Sequence, residues 1–180
     1  MRIKRFFRRL VGLILLLIAA AVALAYLLPR QVDVSRAITI NATPDEVFPL
    51  VNSLREAAKW SPWLALDPDV RLAWSGPDNG IGNRLDWRSD HPKVGSGTQI
   101  ITESVAGKRV TTDLDFGQMG GAQADYTLEP AGTGTLITWH FTTDLGMNPL
   151  RRWLGLMMDR WVGTDFERGL ADLKRMAEAN

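Results

Sequence analysis

The spacing of hydrophobic residues changes twice along this chain, and each change predicts a different kind of element. Residues 10–29 form one apolar run without a charged side chain, long enough for a helix across a hydrocarbon core of about 30 Å. Between Val32 and Thr142, apolar and polar residues alternate in short runs, which is typical of β-strands. After Pro149 the apolar residues recur at helical spacing as far as Ala177.

The alternating part of the chain predicts one antiparallel sheet of seven strands. Glycine-rich turns separate the runs, and the connections are too short for the crossovers that parallel strands need. The predicted strands are residues 32–40, 70–75, 84–88, 98–104, 109–116, 122–129 and 136–142. In each predicted strand the apolar residues fall on one face and the polar residues on the other, except in residues 98–104, where the assignment of faces is ambiguous. In the first strand, Arg36 falls on the face of the apolar residues.

Two short helices are predicted between the first two strands. Thr43 suits a helix cap, Pro44 suits the first helical position, and Glu46 completes a capping box. Pro49 removes a backbone donor inside this helix, so we expect it to be short or kinked. A second helical turn is expected at residues 55–59, ended by Trp60-Ser61-Pro62-Trp63.

Charge is distributed unevenly along the chain. Residues 1–30 carry six of the 21 basic residues and no acid, which leaves 15 basic against 20 acidic residues in 31–180. A body this acidic argues against a nucleic-acid partner. The chain has no cysteine, which excludes a thiolate nucleophile, a zinc–thiolate site and an iron–sulfur cluster.

The basic residues that precede the apolar run predict its orientation in a membrane. Five of them lie in residues 1–9, so we expect this tail to be cytoplasmic, residues 10–29 to span the cell (inner) membrane once, and the domain at 30–180 to be extracytoplasmic. Small residues at Ala21, Ala23 and Ala25 also allow a cleaved signal peptide. The length of the run favours the uncleaved anchor, and both alternatives export the domain.

The apolar parity of the strands favours binding over acid–base catalysis. It contains no Asp, Glu, His or Lys, and general acid–base chemistry needs such groups around the substrate. Aromatic residues supply apolar area with an N–H or O–H donor, as small-molecule pockets do, although each of them would equally fill an ordinary core. The candidate cavity residues are Trp60, Trp63, Trp74, Trp87, Leu114, Tyr126, Trp139, Phe141 and Trp161.

Other motifs give no sign of a catalytic or metal site. His91 and His140 have no companions at metal-ligand spacing. Gly95-Ser96-Gly97 precedes a strand instead of a helix and is interpreted as a hairpin turn. No nucleophile elbow is present. We therefore predict no catalytic residue, no metal and no cofactor.

The apolar stripe of residues 150–162 has two interpretations. A helix stripe of this kind usually packs on the core. With Arg151, Arg152 and Arg160 opposite it, the same stripe also suits the surface of a bilayer.

Several sequence blocks resemble a known superfamily. They are residues 38–48, Trp60-Ser61-Pro62-Trp63, residues 94–98, residues 127–130, and residues 165–167 with Gly169-Leu170. Together they resemble the START-like or helix-grip (SRPBCC) superfamily, in particular its polyketide cyclase/dehydrase-like branch, over residues 32–178.

The resemblance implies an α+β fold in which a curved seven-stranded antiparallel sheet grips a long C-terminal helix around an apolar cavity. Members bind lipids, sterols, isoprenoid quinones or aromatic polyketides, and some are cyclases or hydrolases. Our first hypothesis is a membrane-anchored domain that binds an apolar or aromatic small molecule. The alternatives are a cyclase or dehydratase-like enzyme with Tyr126 or Arg36 as polar groups, and a non-catalytic module that binds another protein.

Overall fold

A computed structural model describes residues 2–179, which form four α-helices, seven β-strands and two short 3₁₀ turns. The helices are α1 (Arg2–Ala25), α2 (Pro44–Val51), α3 (Leu54–Trp60) and α4 (Pro149–Glu178). The strands are β1 (Gln31–Ile40), β2 (Arg71–Ser75), β3 (Arg84–Arg88), β4 (Ser96–Val105), β5 (Arg109–Asp115), β6 (Gly121–Ala131) and β7 (Gly134–Asp144). The 3₁₀ turns are Leu64–Leu66 and Gly117–Met119.

The strands form one antiparallel sheet in the order β1-β7-β6-β5-β4-β3-β2. Consecutive strands from β2 to β7 are neighbours, and β1 completes the sheet by pairing with β7. The long C-terminal helix and the two short helices lie on its apolar face. The predicted helix-grip architecture is confirmed.

A β-bulge in β4 explains the ambiguous parity of residues 98–104. Ile101 pairs with Thr112, whereas Glu103 pairs with Thr111, so β4 has one residue more than β5 at this point. An extra residue reverses the side-chain alternation beyond it. Gln99 and Ile101 therefore share the inner face on one side of the bulge, and Ser104 takes that face on the other, where it donates to Asn52 Oδ1 at 2.7 Å.

The capping sequence begins α2 as its residues predict. The Glu46 carboxylate accepts hydrogen bonds from the Thr43 backbone N–H at 2.7 Å and the Thr43 hydroxyl at 2.8 Å. These bonds lower the pKa of Glu46. The helix passes Pro49 and ends at Val51, and Asn83 then accepts the N–H of Leu54 at 2.7 Å to start α3.

α4 packs most closely along the edge strand β1. Its second half carries buried core residues, among them Phe166, Leu170 and Leu173. Its middle is held by Arg36 of β1, whose guanidinium donates to Asp159 and to Glu167, each at 3.0 Å.

α1 contains a window, Phe6–Ala25, that is long and apolar enough to cross a membrane, and its residues are exposed as far as Leu24. A helix of this kind is either a membrane anchor or a signal sequence. The helix ends at Ala25, so the apolar run to Pro29 continues beyond it. Buried Arg152 joins this end to the domain, donating to the carbonyl oxygens of Tyr26 at 3.2 Å and Leu28 at 3.4 Å.

We predict that Arg36→Met lowers the free energy of unfolding by about 1–2 kcal/mol, because its charge-assisted hydrogen bonds to two carboxylates are lost while Asp159 and Glu167 stay hydrated. Urea unfolding of the full chain in detergent micelles, followed by tryptophan fluorescence, measures the change. Arg71→Met, an exposed site on the opposite edge strand, is the control. Equal losses in both variants would contradict the prediction.

The same ion pair makes stability depend on pH. Arg36 lowers the pKa of Asp159, so the folded state holds the carboxylate more tightly deprotonated than the unfolded chain does. Its contribution is fully present above the ordinary Asp pKa of about 3.9 and is lost as the pH falls below it. The difference between wild type and Arg36→Met should therefore shrink in acid.

Candidate ligand-binding site

Aromatic side chains fill one end of the space between the sheet and α4. The ring of Trp139 stacks on Phe166 with centroids 3.8 Å apart and an interplanar angle of 6°. Trp60 meets Trp139 edge-on at 5.4 Å and Tyr126 at 5.8 Å. Trp60, Tyr126 and Trp139 are each no more than 4% exposed. These three predicted cavity residues therefore belong to a packed aromatic cluster.

The indole N–H groups in and beside this cluster differ in whether they have a hydrogen-bond acceptor. Trp60 donates its indole N–H to the carbonyl of Leu50 at 3.0 Å, and Trp63, which is half-buried, donates to Asp165 at 2.9 Å. The indole N–H of Trp139 is buried and has no hydrogen-bond partner. An unpaired buried donor costs about 1–3 kcal/mol, so an acceptor brought by a ligand would be favourable here.

The buried phenol of Tyr126 is a second polar group of the cluster. Burial raises the pKa of Tyr126. The hydroxyl therefore stays protonated at neutral pH and keeps its capacity to donate a hydrogen bond.

Four more predicted cavity residues line what we call the apolar trough, defined by Trp74, Trp87, Leu114 and Phe141. All four are half-buried and pack against the core without being enclosed by it. Phe141 joins the trough to the aromatic cluster, since its ring lies edge-on to Phe166 at 6.4 Å.

A glycine sets the position of Trp87 in the trough. Trp87 on β3 pairs with Gly97 on β4, and its ring lies directly over the Gly97 backbone. A Cβ on Gly97 would stand only 2.5 Å from the indole, so a side chain at this position would displace the ring. The indole N–H bonds to the carbonyl of Val94 at 3.3 Å. Phe116 supports the ring edge-on, with centroids 5.9 Å apart.

Two polar residues, Gln99 and Arg55, lie near the candidate site and were not among the predicted cavity residues. Gln99 lies on the inner face and donates to the Thr112 hydroxyl at 3.0 Å. It was missed because the bulge hides the parity of β4. The guanidinium of Arg55 lies 4.8 Å from the centroid of the Trp74 ring, a cation–π contact that only the tertiary fold creates.

Trp161 and the histidines lie elsewhere. Trp161 is 49% exposed on α4 and is not brought together with the other candidates. His140 lies on the outer face of the sheet, 3.2 Å from Asp33. Among residues 2–179, no group of three His, Asp or Glu side chains is arranged to hold a metal ion.

Two open recesses occur outside the helix–sheet interface. One, of about 720 Å³, lies on the outer face of the sheet and includes Arg109, Asp125 and His140. The other, of about 500 Å³, lies beside the end of α4 and includes Ile38 and Lys174. Neither is lined by a predicted cavity residue.

Comparison with known proteins agrees with this architecture. The sequence model of the family "Polyketide cyclase / dehydrase and lipid transport" matches residues 31–178. No curated protein matches the chain.

Solved structures share the fold at low sequence identity. The di-domain ARO/CYC StfQ from the steffimycin biosynthetic pathway is 17% identical with a TM-score of 0.62, over 83% of this chain and 51% of that one. This chain therefore spans about half of that protein. Truncated norcoclaurine synthase from Thalictrum flavum is 11% identical with a TM-score of 0.62, over 81% and 92% of the two chains. The Aha1 dimer from Colwellia psychrerythraea is 18% identical with a TM-score of 0.54, over 79% and 93%.

The family match covers nearly all of the chain after α1, and the neighbouring folds have the same sheet and helix. The predicted resemblance to the SRPBCC superfamily is confirmed, and the chain belongs to the polyketide cyclase/dehydrase and lipid transport family.

Proposed function

We propose that this protein is a membrane-anchored domain that binds an apolar or aromatic small molecule in the apolar trough. The observation that carries the proposal is the apolar surface of Trp74, Trp87, Leu114 and Phe141, which pack against the core and yet stay only half-buried. Exposed apolar surface of this kind marks binding sites in soluble domains.

Polar groups near the trough favour an occupant with a few acceptor atoms. The unpaired N–H of Trp139 is buried in the adjoining cluster, and the Gln99 amide lies on the inner face of β4. A ligand with one or two carbonyl or hydroxyl groups on an apolar frame matches this composition. Lipids, quinones and polyketides all fit that description, and the family name supports the same range of ligands.

Membrane attachment through α1 is the second part of the proposal. Its apolar window is exposed as far as Leu24, and the basic residues before it favour a cytoplasmic N-terminus. Contacts from the domain support retention of the helix instead of cleavage as a signal peptide. Ala25 is completely buried, and Trp153 donates to the carbonyl of Ala21 at 3.1 Å. Cleavage after Ala23 or Ala25 would remove the Trp153 contact.

We expect an apolar compound to co-purify with the full chain from its native host and to be lost from Trp87→Arg, because the new charge would occupy the trough. Organic extraction followed by mass spectrometry measures the difference. Ile81→Arg, an equal change at a loop position that is 63% exposed, is the control for lipid carried by α1. Identical extracts from all three folded proteins would contradict the trough as a binding site.

Two tryptophan substitutions distinguish an indole N–H that stabilises the fold from one that we expect to bind the ligand. Trp60→Phe breaks a buried hydrogen bond and should cost about 1–3 kcal/mol more stability than Trp139→Phe, which removes a donor that has no partner. Trp139→Phe should instead reduce retention of the co-purifying compound, by about tenfold for each 1.4 kcal/mol of lost binding energy. Denaturant unfolding and ligand extraction on both variants make the comparison. Unchanged retention in Trp139→Phe would remove this group from the site.

We expect the mature protein to retain α1. Intact-mass measurement of the protein purified from host membranes should give the chain with its N-terminal residues, and alkaline washing should leave it in the membrane. A mass corresponding to cleavage after Ala23 or Ala25, with release of the domain, would contradict the anchor.

A further inference from the structure

The first half of α4 carries an exposed apolar face on the side away from the sheet. Its large residues recur at helical spacing, which places them on one side of the helix. We call them the outward stripe: Leu150 (66% exposed), Trp153 (40%), Leu154 (45%), Met157 (45%) and Trp161 (49%). The side that packs on β1 is formed by small or charged residues such as Gly155 and Asp159. The stripe is therefore not the core face of the helix, which the sequence analysis took as the usual arrangement.

After Trp161, the same side of the helix no longer carries large apolar residues. The positions that continue the stripe are Thr164, Arg168, Ala171 and Arg175, all exposed and none a large apolar residue. A helix that simply required solubility would carry polar residues along its whole outer side. The apolar surface is thus confined to the end of α4 that lies near α1.

Contacts with α1 place the stripe at a definite level along that helix. The Trp153 indole donates to the Ala21 carbonyl at 3.1 Å, and Arg152 binds the carbonyls of Tyr26 and Leu28. Ala21 lies four residues before the end of α1, which is about 6 Å along the axis. Amphipathic helices at membrane interfaces bury their apolar faces by about 5–10 Å. If α1 crosses the bilayer, the stripe lies at that depth.

We propose that the outward stripe is a membrane-binding face that inserts into the outer leaflet of a phospholipid bilayer beside α1. This inference rests on the anchor of the proposed function and goes beyond it by placing the domain itself on the lipid surface. Trp153 and Trp161 provide the amphipathic rings that membrane interfaces favour, and exposed Arg160 lies near phosphate groups.

Apolar burial, and not charge, drives the contact. Residues 31–180 carry 15 basic against 20 acidic residues, so an anionic surface does not attract the domain as a whole. The association should accordingly depend little on salt.

The absence of cysteine from the chain makes site-specific labelling direct. Three single-cysteine variants of the full chain, each labelled with an environment-sensitive fluorophore, are reconstituted in phosphatidylcholine vesicles with or without nitroxide lipids. Leu154→Cys reports the stripe. Arg168→Cys is the matched control on the same side of α4, and Leu16→Cys reports insertion of α1.

We expect the Leu154→Cys label to be blue-shifted and quenched by nitroxide lipids at low and high salt, the Arg168→Cys label to be neither, and the Leu16→Cys label to be quenched. A Leu154→Cys label that behaves like the Arg168→Cys label, with Leu16→Cys still quenched, would overturn the membrane face and leave the anchor intact. An unquenched Leu16→Cys label would overturn both.

One further outcome identifies a different occupant. A Leu154→Cys label that is blue-shifted but insensitive to nitroxide lipids would be covered by protein, for which a second copy of this chain is the candidate, and the proposal would fall. Circular dichroism of each labelled variant confirms that the fold is retained before the comparison is made.

Discussion

The close packing of α4 on the edge strand β1 decides which surfaces of this domain are covered and which stay open. Two glycines permit it: a Cβ would stand 3.2 Å from Val32 at Gly155 and 2.1 Å from Arg36 at Gly163. Gly169 gives similar room to Trp139 of the neighbouring strand β7, 3.0 Å away. Arg36 then holds the helix through Asp159 and Glu167. Because this side of α4 faces β1, the outward stripe lies on the opposite side of the helix.

The strands and short helices were predictable because each is encoded locally. Alternation marks a strand when one face is buried and the other meets water. Thr43 and Glu46 specify a helix start by their own hydrogen bonds, and Pro44 by its fixed φ angle. The β4 bulge was beyond this reasoning. An inserted residue changes the face of Gln99 relative to Ser104, and the insertion is visible only when the partner strand is known.

The candidate site was predictable in composition but not in arrangement. Trp139 and Trp161 both fit apolar patterns, yet one is 4% and the other 49% exposed. Periodicity identifies an apolar side of a helix without stating what covers it. In the first half of α4, the side that faces β1 is formed by Gly155, Asp159 and Gly163, and no hydropathy pattern marks these residues as a contact surface. Arg36 binds this side through Asp159, whose carboxylate stays exposed.

Arg152 has a consequence for how the domain moves. A linker of only a few residues ordinarily lets a domain rotate freely about its point of attachment. Here one buried guanidinium binds three carbonyls, two from the turn that follows α1 and one from Gly146, and these bonds restrain that rotation. If α1 is a membrane anchor, as proposed, the domain keeps one orientation relative to the bilayer, and a ligand that comes from the bilayer meets the same side of the sheet each time.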